Sequence, residues 1–162
     1  MEIILKERSK EAKYKELLPQ LEALMDPKVS NTVNLLNLFA ALKYNMNFFW
    51  AGCYIVKNNQ LELGPFQGPT ACTTIAYGKG VCGRCWELKK EVLVDNVHEF
   101  DGHIACSSES NSELVLPVIL EDEVKMILDF DSEHFAYFNN VDVTYLGEVV
   151  EIIKRYNLVG SE

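Results

Sequence analysis

Apolar residues along this chain recur at helical and at strand periods, and the switches between the two outline its elements. From Ser9 onward Tyr14, Leu17, Leu18, Leu21, Leu24 and Met25 return every three or four positions, the stripe of an amphipathic helix, with Pro19 predicted to kink it. Asp26-Pro27 reads as a cap followed by a first-turn proline. It would open a second helix reaching Tyr44, with Val29, Val33, Leu36, Phe39 and Ala40 as its apolar stripe. Residues 48–56 and 60–66 are rich in aromatic and β-branched side chains and flank Lys57-Asn58-Asn59, a hairpin with asparagines where unusual φ is required. A glycine-rich loop then leads to a short helix from Gly80 to about Lys89, a strand at 92–97 and a long loop to Asn111. A second hairpin, 113–120 and 124–131, turns at Glu121-Asp122-Glu123, and a last helix covers about 141–156. This order predicts an α+β fold, an antiparallel sheet with helices packed on one face. No repeat, low-complexity segment or linker interrupts it, so 1–162 is read as one domain.

At 162 residues the chain can bury a core without disulfides or metal, which makes its five cysteines chemical rather than architectural. The formal charge of −9 repels nucleic acid and anionic membrane surfaces. The opening MEIILKERSK has too short an apolar patch for a secretory signal, and the longest apolar run, 48–56, is about half of a membrane span. An odd number of cysteines without a leader fits a reducing, cytoplasmic location.

The candidate chemistry concentrates between Gly64 and Cys106, a stretch with four of the five cysteines, six of the nine glycines and two of the three histidines. Cys72, Cys82 and Cys106 each sit in glycine-flanked or polar segments. Three thiols brought together suit a cycle in which one attacks and another resolves a sulfenic acid as a disulfide; the alternative is inert small hydrophobes. Cys82-Gly83-Arg84-Cys85 also admits a dithiol pair or half of a zinc site completed by Cys72, Cys106, His98 or His103, although a second close-spaced pair is lacking.

Strand alternation puts Trp50, Gly52 and Tyr54 on one face and Cys53 on the other, so two rings flank a gap above a pocket or an ordinary core. Asp129 and Asp131 share a face of a strand whose other face carries Met126, Leu128 and Phe130, and Glu113 joins them if the hairpin register allows. Such acids are either solvated or line a polar pocket that binds a cation or holds a proton. Crowded like charges raise at least one pKa, yielding a carboxylic acid able to donate near neutral pH.

The segments GPFQGPTACT, GKGVCG and NVHEFDGHIAC, with cysteine spacings of 10 and 24, closely resemble the free methionine-(R)-sulfoxide reductases, a GAF-domain family. FFWAGCYIV upstream and SELVLPV and ILDFDS downstream extend the resemblance over roughly residues 10–157. It implies a GAF-like fold and thiol-dependent reduction of free L-methionine-(R)-sulfoxide. Cys106 would be the attacking residue, Cys82 its resolving partner and Cys72 a third redox-cycling or substrate-proximal thiol. Trp50 and Tyr54 would be pocket aromatics, and Glu113, Asp129 and Asp131 the acids that hold the ammonium group and assist protonation of the sulfoxide oxygen. No cofactor or metal is implied beyond an external dithiol such as thioredoxin, and the family suggests a homodimer. Cys85 departs from the family motif. The rival reading is a non-catalytic GAF sensor that binds a small molecule or responds to oxidants.

Overall fold

The structure, a computed structural model, describes residues 2–5, 9–102 and 109–160. Ser9 accepts a hydrogen bond from the Ala12 amide and starts α1 (Lys10–Leu24), which buries Tyr14, Leu17 and Leu21. The helix continues through Pro19, and the carbonyl that the missing amide leaves without its helical partner belongs to the exposed residue Lys15. The second helix does not open at Asp26-Pro27. Asp26 instead folds a tight turn, its carboxylate accepting from the Lys28 amide, while the Asn34 side chain clamps both the amide and the carbonyl of Asp26. Ser30 is the true cap, and α2 spans Asn31–Met46. Its buried face is Leu35, Leu38, Phe39, Leu42 and Met46, and of the expected stripe only Phe39 is buried. Val29, Val33 and Leu36 stay exposed, as does Tyr44. The helix carries two apolar faces, and periodicity alone does not say which one meets the sheet.

Among the described residues six strands form a sheet in the order β3-β2-β1-β6-β5-β4, with every neighbouring pair antiparallel. They are β1 (Trp50–Lys57), β2 (Gln60–Gln67), β3 (Thr74–Ala76), β4 (Val92–Val94), β5 (Ser112–Leu120) and β6 (Glu123–Ser132). Asn58 and Asn59 both take positive φ in the first hairpin, and Glu121 and Asp122 do so in the second. β3 was not anticipated, since three residues are too few for alternation to show. Between β3 and β4 lies α3 (Gly80–Leu88), and α4 (Asn140–Arg155) ends the fold behind an Asn139 capping box.

α1, α2 and α4 cover one face of the sheet, where Ala51, Cys53, Leu114, Leu116, Met126, Leu128 and Phe130 join the helix residues in the main core. Buried Asp142 ties α1 to α4: it accepts from Tyr14 Oη at 2.6 Å and from Lys10 Nζ at 2.8 Å. The short α3 packs on the opposite face, bringing Val81, Cys82 and Cys85 against Trp50, Tyr54, Val115 and Ile127. Helices therefore occupy both faces, three long ones on the expected side and one short one above the strands that carry the acids.

Candidate active site

Strand register assembles the pocket floor. Asp131 lies between Trp50 on β1 and Glu113 on β5, and Asp129 lies between Gly52 and Val115. Because side chains alternate, Trp50, Gly52, Tyr54, Glu113, Asp129 and Asp131 all point away from the three long helices. The same register sends Cys53 into the main core, where its Sγ faces the Pro65 carbonyl and burial pushes its pKa up. Gly52 supplies space that no other residue could: an added Cβ would lie 2.3 Å from Phe66 Cβ and 2.7 Å from the Trp50 ring.

The two aromatics form a wall. Trp50 stacks on Phe66 with centroids 5.1 Å apart and neighbours Tyr54 at 6.3 Å. Their polar atoms, however, face protein: the indole Nε1 donates to the Pro69 carbonyl at 3.0 Å and the Tyr54 hydroxyl to the Cys72 carbonyl at 2.9 Å. The phenol thereby holds the loop that carries Cys72 in place. Cys72 itself is disulfide-bonded, whereas Cys53, Cys82 and Cys85 are free and buried.

α3 forms the roof. Gly78 ahead of it and Gly80 at its first position take positive φ, and Gly83 lets the helix settle on the preceding turn, since a Cβ there would be 2.6 Å from the Ala76 carbonyl. This seating places Cys82, 4% exposed, over the acids, so that Cys82 Sγ and carboxylate oxygens of Glu113 and Asp129 lie within 4.8 Å of one another. Cys85 is fully buried one turn on.

Among the described residues lining the cavity none is basic, and three are carboxylic acids. Burial, reinforced by the charges of Asp129 and Asp131, holds the Glu113 carboxyl well above the usual range. Asp131 is raised for the same reasons, opposed by a 2.9 Å hydrogen bond from Ser110 Oγ. Burial also raises Asp129, against the pull of donors from Glu113, Cys82 and Asp131, and its Oδ1 is buried without a hydrogen-bond partner. The Cys82 thiol is pushed far up by burial and then by the acids. Burial thus works against the charged forms of these acids, and a cation in the pocket would favour them.

Sequence reasoning missed Ser110, one of four serines in the polar run SSESNS that nothing in the local pattern distinguishes from the others. His98, weighed as a metal ligand, pairs with Asn111 Oδ1 at 2.8 Å and is not among the pocket residues. Cys106 and His103 lie outside the described residues.

A six-stranded antiparallel sheet with α-helices at its back and a cavity roofed by a short helix defines a small-molecule GAF module, and the family profile described as GAF domain matches residues 38–155. The comparisons carry the assignment further. The chain is 46% identical to GAF domain-containing protein A of Dictyostelium discoideum, covering 90% of this chain and 92% of that protein. It is 38% identical to the free methionine-R-sulfoxide reductase of Escherichia coli, covering 88% and 87%. The solved free methionine-R-sulfoxide reductase of Neisseria meningitidis, in complex with its substrate, superposes with a TM-score of 0.92 at 40% identity, covering 98% and 96%. The chain belongs to the GAF-domain family, and within it to the free methionine-(R)-sulfoxide reductases.

Proposed function

We propose that this protein reduces free L-methionine-(R)-sulfoxide to L-methionine with Cys106 as nucleophile, Cys72 as its resolving thiol and an external dithiol such as thioredoxin as donor. The observation that carries the reading is the convergence of Glu113, Asp129 and Asp131 in one cavity with no basic residue among its described lining. Such a cavity suits the ammonium group of a free amino acid. Trp50 and Tyr54 supply an apolar wall for the thioether end.

The Cys106 thiolate attacks the sulfoxide sulfur. One proton delivered to the oxygen from these acids, whose pKa values burial raises, lets it transfer as hydroxyl, leaving methionine and a Cys106 sulfenic acid. A second thiol attacks that sulfur, water leaves, and a disulfide forms. Thioredoxin then reduces the disulfide and itself becomes oxidised. Resolution by Cys72 rather than Cys82 fits the bonded state of Cys72 and the free, deeply buried thiol of Cys82, whose raised pKa opposes the thiolate that exchange requires. The exposed Val29, Val33, Leu36 and Tyr44 on and beside α2 offer an apolar face for a second copy, consistent with a homodimer. The cytoplasmic location is proposed from the sequence; separately, no described helix is long and apolar enough to cross a membrane.

Incubating the protein with both epimers of free methionine sulfoxide and a thioredoxin system, then separating the epimers, tests this directly. Loss of the R epimer alone is expected. If neither epimer declines, the enzymatic reading fails and the ligand-sensor reading replaces it.

A further inference from the structure

We propose that Cys82, Glu113 and Asp129 form a binding site for a zinc-class divalent cation, which competes with the ammonium group of the substrate and so switches the enzyme off. The proposal rests on the ammonium-pocket reading of the same acids. Three independent features point to it. First, Cys82 Sγ and one oxygen from each carboxylate lie within 4.8 Å of one another, all on buried side chains. Ligands of a tetrahedral zinc ion stand about 3.5 Å apart, so modest side-chain rotation brings all three to coordinating positions. Second, Asp129 is 93% buried, being 7% exposed, yet its Oδ1 has no hydrogen-bond partner. A buried carboxylate oxygen left bare is a vacant lone pair in a cavity that offers no basic side chain among its described lining. Third, Cys82 is a free thiol.

The donor set selects the ion. One sulfur and two carboxylate oxygens match zinc and its softer relatives, whereas calcium and magnesium require six or more oxygens or several retained waters. Three protein ligands leave a fourth position open, which distinguishes the arrangement from closed structural zinc sites. Cys85 contributes nothing: it is fully buried and is not part of the three-ligand cluster. The ion would occupy the space of the substrate's ammonium group, so inhibition should be competitive with free methionine sulfoxide.

Cobalt(II), a spectroscopic substitute for zinc, tests the site without reference to activity. Titrated into the reduced full-length protein, it should bind one per chain and give the near-ultraviolet thiolate-to-cobalt absorption, which zinc and free methionine should each remove. Cys82→Ser should abolish the band, while Cys72→Ser and Cys85→Ser should retain it. Glu113→Gln should weaken cobalt binding by about tenfold or more, since losing even an indirect supporting group costs a site 10–100-fold. Circular dichroism on each variant separates ligand loss from misfolding. Absence of the band in folded wild-type protein, or its survival in folded Cys82→Ser, overturns the proposal. A wild-type protein that reduces methionine sulfoxide in chelated buffer yet shows no Cys82-dependent band refutes the metal site alone. One that shows the band but reduces neither epimer refutes the reductase reading alone.

Discussion

Gly52→Ala adds one methyl group at the point where β1 passes under the pocket. Its Cβ would stand 2.3 Å from Phe66 Cβ, 2.7 Å from the Trp50 ring and 2.9 Å from Phe66 Cα, whereas carbon atoms settle about 3.5–4.0 Å apart. Phe66 is the strand partner of Gly52, so its backbone cannot swing aside, and the clash is relieved only by parting β1 from β2 and tilting the indole. Overpacking of this kind costs about 2 kcal/mol, and at roughly 2–4 °C per kcal/mol for a chain this size Tm should fall by about 4–8 °C. The functional cost is larger in proportion. Trp50 walls the cavity and holds the Pro69 carbonyl of the Cys72 loop, and misplacing a reacting arrangement by about 1 Å costs on the order of 100-fold in rate. Gly64→Ala is the matched control, because its Cβ would meet Cys53 Sγ and Ile55 Cδ1, side-chain ends on the helix-facing side. That variant should lose stability while keeping kcat/KM near wild type. Thermal melts and steady-state kinetics with free methionine-(R)-sulfoxide on both proteins decide the matter. A folded Gly52→Ala protein within about tenfold of wild-type kcat/KM, or 1.4 kcal/mol of barrier, refutes the reasoning. So does a Gly64→Ala protein that loses as much activity.

Glu113, Asp129 and Asp131 are all raised by burial, so the folded state holds their protons more tightly than the unfolded chain. The stability they contribute is fully present below the ordinary carboxyl pKa and is lost as pH rises toward the folded values. Glu113→Gln should accordingly flatten the decline in Tm between pH 5 and 8 and stabilise the ligand-free protein at pH 8 by about 1 kcal/mol, the scale on which relieved functional-site strain appears; an unchanged pH slope would show that Glu113 stays ionised. An N-acetylated methionine sulfoxide presents a neutral amide to these acids, a mismatch of several kcal/mol, or about 100-fold or more in kcat/KM. Asp129→Asn or Asp131→Asn should narrow that preference, and a ratio unmoved in both variants would remove the carboxylates from ammonium recognition. Cys72→Ser should give about one turnover per subunit with thioredoxin and then stall, as a sulfenic acid without its resolving partner must, while Cys82→Ser keeps cycling. The reverse outcome would return the resolving role to Cys82.

Local rules carried much of this architecture. Both hairpins, the start of α1 at Ser9 and the two faces of β6 follow from residue type and period, since φ preference, capping and alternation act within a few positions. The cysteine spacings and their flanking glycines sufficed to reveal the family. Competition between distant groups lay beyond that reach. Whether Asp26 or Ser30 capped α2 was decided by the Asn34 amide, and which apolar face of α2 turned inward was decided by the sheet it met. The same holds in the pocket. Alternation put Asp129 and Asp131 on one face, but only the β1–β6 and β5–β6 registers set Trp50 and Glu113 beside Asp131, and only α3 on the far side of the sheet brought Cys82 over Asp129. Burial, the largest cause of each pKa shift among the acids and Cys82, is a property of all the elements packed around a group, and no single segment of sequence contains it.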